Sequence, residues 1–336
     1  MTPQACRPRP STDATIEVSR LHSSSGADAQ AAVPNGAVPN GVTPTPTPVR
    51  SAWWVRLLSH LPFPLLYLLS TFLGWLAHKV FPYRQNVVRE NLTKAFPQFD
   101  EAQLQDVMKN YYRGFAEVLV ELIKAASMSA DEIRRRVRIV NVEAPQALLA
   151  LGKPVLLVAA HQCNWEWMLL GLSLQLGYRV DAAYKPLVNP WAEREMLAIR
   201  TRFGSRLIAA KGLLPDIIKH RKDVRAIAMV ADQEPTTSEH KHWTHFLNRN
   251  TAFYMGAEEI ARVTRYPVFF IAMKRVKRGF YEMTIKPLAP GGETLPTGEL
   301  TERYAKLCEE QIRDAPPDWP WSHKRWRLKK SLYGKS

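Results

Sequence analysis

With 336 residues, 46% of them hydrophobic, the chain can build one large domain with appendages or two small domains. Its formal net charge of +15 disfavours cationic partners and points to anionic ones: lipid head groups, phosphorylated substrates, acidic proteins or nucleic acid. Cys6, Cys163 and Cys308 are too scattered for a disulfide framework and form no CxxC zinc pair, which fits a reducing compartment.

Residues 1–49 are rich in Pro, Ser, Ala and Thr and contain a near-repeat of Ala-Val-Pro-Asn-Gly at 32–41. Such a segment buries too little apolar surface to offset chain entropy, so a disordered N-terminal extension is expected. No apolar run follows Arg7 and Arg9, so no secretory signal is read there. Residues 50–84 read as a hydrophobic membrane anchor. Within them, residues 61–77 carry no charge, with Trp53, Trp54 and Arg56 on one side and His78, Lys79, Tyr83 and Arg84 on the other. A span of that length sits at the lower limit for crossing a bilayer, and aromatic and basic flanks suit its interfaces. The basic excess on the C-terminal side of the span places the remainder in the cytoplasm, against membrane phospholipids.

Residues 85–328 form the expected catalytic domain. Apolar residues at three- and four-residue steps predict a helix over 101–125. Beyond it, apolar runs at 155–160, 179–184, 226–230, 268–273 and 281–285 predict strands. Helices are expected near 164–176, 190–203, 211–221, 253–264 and 298–313. The alternation predicts an α/β fold, a central and largely parallel sheet covered by helices. No glycine-rich phosphate turn accompanies it, which argues against nucleotide binding.

The run 155–160 is apolar throughout and reads as a central strand, and His161 follows at once. Ligands of open α/β sheets bind beyond the carboxyl ends of the strands. Asn164 is a good N-cap for the next helix, which puts Glu166 in its first turn. Glu166 can then fold back on one imidazole nitrogen and leave the other as a general base, so the two are the expected catalytic dyad. Cys163, two residues from His161, reads as a small buried hydrophobe rather than a nucleophile. His240, His242 and His245 read as a polar surface loop rather than a metal site, and no metal is expected. Asp232, at a strand end, reads as a supporting group. The C-terminal block Trp319, Trp321, His323, Lys324, Arg325, Trp326 reads as a membrane-interface element rather than a nucleic-acid binder, followed by a basic tail at 329–336.

Several blocks in order resemble the lipid A biosynthesis lauroyl/myristoyl (late, secondary) acyltransferase family, within the HX4D/E acyltransferases. They are Arg89-Glu90-Asn91-Leu92 with Ala95-Phe96-Pro97; His161 and Glu166; Tyr184-Lys185-Pro186; Arg202-Phe203-Gly204; Asp232-Gln233; Phe246 with Thr251; and the C-terminal block from Trp319 to Trp326. Lys185 stands where arginine is typical and Asn248 where glycine is common. The resemblance implies a glycerolipid acyltransferase-like fold and a bacterial inner-membrane enzyme with its catalytic domain on the cytoplasmic side. It implies transfer of a fatty acyl group from acyl carrier protein, or less readily coenzyme A, to a hydroxyl of a lipid A precursor, without a further cofactor. Asn164 and backbone amides after His161 become oxyanion candidates, and Lys185, Arg202, Lys211, Asp232 and Gln233 substrate-site candidates. Two alternatives remain: the same dyad acting on a lysophospholipid, aminolipid or other glycolipid, and a non-catalytic membrane-tethered binding protein.

Overall fold

The computed structural model describes residues 52–236, 240–292 and 295–329. The extension assigned to 1–49, and 330–336 of the basic tail, lie outside the described residues. Two helices come first, α1 (Trp53–His60) and α2 (Phe63–Trp75), the second running into a π-helical turn at Leu76–Val80. Helices α3 (Gln85–Ala95), α4 (Glu101–Ala125) and α5 (Ala130–Arg136) lead to strand β1 (Val137–Ile139) and α6 (Glu143–Ala150). Then follow β2 (Val155–Ala159), α7 (Trp165–Gln175), β3 (Val180–Tyr184), α8 (Pro190–Arg200), β4 (Arg206–Ala209), α9 (Leu213–Lys219) and β5 (Ala226–Val230). The chain closes with β6 (Lys241–Phe246), β7 (Arg249–Tyr254), α10 (Gly256–Thr264), β8 (Val268–Lys277), β9 (Phe280–Ala289) and α11 (Glu299–Asp314).

Among the described residues, seven strands form one sheet in the order β1-β9-β8-β2-β5-β3-β4. All neighbours are parallel except β8 and β9, which form an antiparallel hairpin. The largely parallel sheet is therefore as the sequence predicts, with β9 and the edge strand β1 running against the other five. All of β2 is buried, because it lies in the middle of the sheet with helices over both faces. Strand β2 pairs with β5 so that Ala159 lies opposite Val230. That register brings the carboxyl ends of the buried β2 and the partly buried β5 side by side.

The segment around the three histidines is not a loop. His242 and His245 lie on β6, which pairs with β7 in a separate two-stranded ribbon. Its turn residues Leu247 and Asn248 both have positive φ, 50° and 62°. A two-residue hairpin turn of this hand demands that conformation, which asparagine tolerates and leucine resists. Full burial of Leu247 and an Asn248 Nδ2 hydrogen bond to Ala95 O (3.0 Å) hold the turn. Each of His240 and His242 pairs with a carboxylate, Glu259 and Glu302 respectively, at 2.8 Å. No metal-binding cluster occurs among the described residues.

The one N-terminal anchor helix expected within 50–84 is α2 with its π-helical turn, and the short helix α1 precedes it. Pro62 biases Leu61 to an extended conformation, and the chain breaks between α1 and α2. The stretch Phe63–Val80 is long and apolar enough to cross a membrane by length and composition. One face of α2 nevertheless packs on α4, burying Leu66, Tyr67, Ser70 and Gly74. Its other face exposes Leu65, Leu68, Leu69, Phe72, Leu73 and Trp75. Lys124 closes the end of α1 by donating to the carbonyls of Ser59 and Leu61, at 2.8 and 2.9 Å. Arg278, in the β8–β9 turn, donates to Tyr67 O and Thr71 Oγ1 at 2.9 and 2.7 Å. Gly74 permits the close approach of the helices: a Cβ there would lie 3.0 Å from both Arg113 Cα and Tyr112 O. Gly74→Val is expected to force α2 off α4 and to cost about 1–3 kcal/mol of stability, the usual range for overpacking. A lower melting temperature and faster proteolysis between α2 and α3 would register it.

Candidate active site

His161 and Asp232 each lie two residues beyond the paired positions Ala159 and Val230, so the β2–β5 register makes them neighbours. Asp232 Oδ1 accepts from His161 Nδ1 at 2.6 Å and from the His161 backbone N–H at 3.1 Å. Its other oxygen, Oδ2, accepts from Trp319 Nε1 at 2.8 Å. Asp232 is buried, whereas the His161 side chain is 15% exposed. With Nδ1 committed to the carboxylate, Nε2 of the neutral ring is the free acceptor. Gln233 Nε2 stands 3.4 Å from it, and Trp165 packs edge-on with its ring centroid 5.2 Å away.

The carboxylate on the His161 ring is thus Asp232 and not Glu166. Glu166 is in the first turn of α7, as expected, and buried, but it faces α8. There Arg200 grips it with two hydrogen bonds, Nε to Oε2 at 2.8 Å and Nη2 to Oε1 at 2.6 Å, while Trp165 Nε1 donates to Oε1 at 3.0 Å. Glu166 reaches His161 through its field rather than by contact. Burial disfavours the imidazolium, but the Asp232 carboxylate outweighs it, and with Glu166 it holds the His161 pKa above the usual histidine value. For Asp232, burial works against ionisation, but the His161 imidazole, the Trp319 indole and the His161 backbone N–H together outweigh it, so its carboxyl lies below the usual range.

The turn between β2 and α7 is fastened at every residue. Gln162 Nε2 donates to Ala315 O at 3.1 Å, and Cys163 N donates to Asp318 O at 2.9 Å. Cys163 has φ 54°, its Sγ faces Met273 O at 3.4 Å, and burial pushes its thiol well up, which leaves no poised nucleophile. Asn164 caps α7 by accepting from Trp167 N at 2.9 Å, and its Nδ2 donates to Glu121 at 2.8 Å. Both ends of that buried amide are therefore occupied, and it is not available to an oxyanion. The Asn164 cap takes the N–H of Trp167, so the backbone N–H groups of Trp165 and Glu166, which have no acceptor within the helix, are the donor candidates at this end of the site.

The other candidates divide. Lys185 follows β3 and Lys211 follows β4, and both are exposed at the carboxyl edge of the sheet where His161 lies. Arg202 is turned away and donates to Ala125 O at the end of α4. The C-terminal block is not an interface element. Trp319, Trp321 and Arg325 are buried, and their polar atoms meet Asp232, Pro316 O, Asp232 O and Ala252 O. Burial pushes the Arg325 guanidinium down to about 10. Sequence reasoning missed Arg200 entirely, and it missed the tie from Trp319 to Asp232, whose only signal was an indole at the head of the aromatic and basic C-terminal block.

The pair makes a defined prediction. In Asp232→Asn the burial of His161 remains while its compensating charge is gone, so the imidazole is expected to titrate below 6.5 instead of above it. Histidine-resolved NMR titration, with His161→Ala identifying the resonance, measures the shift. An unchanged titration would break the assignment of Asp232 as the partner charge.

The chain's similarities bear on this site. The family described as "Bacterial lipid A biosynthesis acyltransferase" matches residues 51–328. The chain is 23% identical over 278 residues to the lipid A biosynthesis palmitoleoyltransferase of Escherichia coli (strain K12), covering 82% of this chain and 88% of that one. It is 23% identical over 285 residues to a lipid A biosynthesis acyltransferase of Haemophilus influenzae, covering 83% and 86%. It is 24% identical over 277 residues to the lipid A biosynthesis lauroyltransferase of Escherichia coli (strain K12), covering 81% and 89%. The match spans β2 and β5, the buried C-terminal block and both apolar helices, and the chain belongs to the bacterial lipid A biosynthesis acyltransferases.

Proposed function

We propose that the protein moves a fatty acyl group from the thioester of acyl carrier protein to a hydroxyl of a lipid A precursor, with His161 as general base. The observation that carries this reading is the His161 imidazole, fixed through Nδ1 by Asp232 at the carboxyl end of β2, with Nε2 on the half-buried side meeting the Gln233 amide at a long 3.4 Å. In the reaction Nε2 takes the proton of the acceptor hydroxyl as its oxygen attacks the thioester carbonyl carbon. The oxyanion meets the backbone N–H groups of Trp165 and Glu166 at the start of α7, a contribution of about 3–4 kcal/mol for one well-placed donor. As the tetrahedral intermediate collapses, the carbon–sulfur bond breaks and the imidazolium returns its proton to the departing thiolate. Asp232 fixes the tautomer and stabilises the imidazolium. A thioester is already activated, so this sequence asks for no metal.

Glu166 has a different part in this reading from the one the spacing predicts. Held by Arg200, it adds negative field at the imidazolium and keeps a guanidinium beside the cleft. Lys185 and Lys211 at the same edge suit phosphate groups of the acceptor, and the charge of +15 suits an acidic carrier protein. The exposed apolar faces of α1 and α2 suit a membrane, which we place as the bacterial inner membrane with the site on its cytoplasmic side. Trp54 of α1 stacks on Trp191 at 5.1 Å, joining that surface to the exposed Leu187 and Val188 beside the site. The relatives' names differ in the acyl group, palmitoleoyl in one and lauroyl in another, so chain length is set by something finer than family membership.

His161→Ala is expected to lower acyl transfer about 10²–10⁴-fold while the protein stays folded, and Asp232→Asn to fall in the same range. Cys163→Ser is expected to keep most activity. Mass spectrometry of lipid A from cells with and without the gene is expected to differ by one acyl unit. An unchanged lipid A, or a loss confined to Cys163→Ser, would sink the proposal.

A further inference from the structure

Behind the catalytic turn lies a carboxylate that the reaction does not use. Glu121, on α4, is 1% exposed. Three donors from three parts of the chain converge on it: Tyr67 of α2 at 2.9 Å, Asn164 of the catalytic turn at 2.8 Å and Tyr281 of β9 at 2.6 Å. Its backbone carbonyl accepts a fourth bond, from Trp167 Nε1 of α7 at 3.0 Å. The guanidinium groups nearby are committed to other carboxylates. Arg275 takes Glu117 and Asp318, and Arg278 takes Glu117. Glu121 thus has neutral partners only, and burial raises its carboxyl above the usual range. A buried acidic group is a poor source of stability compared with an apolar side chain of the same size. What it supplies is direction, because each donor fixes a separate element to one point.

We propose that Glu121 is a positioning residue for His161. It fixes the turn at residues 161–164 through Asn164, and through Tyr67 it makes that turn depend on the docking of the apolar helix α2. The Tyr67 end is itself tightly placed. Gly279 of the β8–β9 turn lies against it so closely that a Cβ there would sit 2.0 Å from the hydroxyl. The chain of contacts runs from the exposed apolar face of α2, through Tyr67, Glu121 and Asn164, to the N-terminus of α7 and the histidine before it. A helix exposed to lipid on one side is therefore wired to the base on the other.

The kinetic part of the test rests on the acyl-transfer reading; the titration part does not. Full-length wild type, Tyr67→Phe, Glu121→Gln and Glu121→Ala are compared for folded fraction, for kcat and KM against pH, and for the NMR titration of His161 without substrate. Tyr67→Phe is expected to lower kcat about tenfold, the value of one hydrogen bond to a charged group, with KM within twofold. A loosened turn weakens the Asp232 bond, so the acid limb of the pH profile and the His161 titration both move to lower pH. Glu121→Ala is expected to do the same more strongly, and Glu121→Gln, which keeps an acceptor for Asn164, to recover most of the loss. The proposal is overturned if His161 titrates as in wild type in Tyr67→Phe and Glu121→Ala, or if lost activity only tracks lost folded protein. A wild type without acyl transfer would overturn the functional reading, while the titration would still decide the positioning role.

Discussion

The β2–β5 register is the constraint on which the rest of the site depends. Opposing Ala159 and Val230 decides that the next side chains past the sheet's edge, His161 and Asp232, meet rather than miss. A slip of one residue would send every β5 side chain to the other face of the sheet and remove the carboxylate from the imidazole. The apolar character of both strands holds the register. β2 is buried along its whole length, and a central strand cannot slide without exposing its pairing groups.

Around that pair, the protein uses burial to set charge rather than to avoid it. Asp232 is ionised in a dry place because His161 and Trp319 hold its two oxygens. Arg325 is buried because backbone carbonyls of Asp232 and Ala252 take its donors. Glu166 is neutralised by Arg200 in a bidentate pair. Each buried ion has a specific partner, so polar groups here fix orientation at some cost in intrinsic stability.

Much of the fold was legible from periodicity. The helix read at 101–125 is α4 to the residue, because its apolar face is long and Asp100 with Gln103 forms a capping box. The strand before His161 and the helix after Asn164 followed from an unbroken apolar run and an N-cap. The short edge strands β1 and β4 were missed because three or four residues carry too little pattern. The β6–β7 ribbon was missed because its polar histidines and a Leu-Asn turn resemble a loop. In the site, the placement of His161 at a strand end was readable, since an unbroken apolar run marks it locally. The identity of its carboxylate was not. Glu166, five positions along the chain, is the nearer carboxylate to His161 in sequence, but a helix start points it at α8, whereas Asp232 arrives from 71 residues away by strand pairing. Distance along a sequence says little about which group a sheet will bring alongside.

The burial of the C-terminal block has a consequence for how the protein is made. Trp319 supplies the donor to Asp232 Oδ2 from 87 residues downstream, and Arg325 holds the backbone of the same residue from 93 downstream. While the ribosome is still synthesising α11, β2 and β5 can already pair, yet Asp232 lacks these partners. The site is therefore completed only after residue 325 has been made, and a chain stopped before then carries an unfinished His161–Asp232 pair in a sheet whose strands are already present.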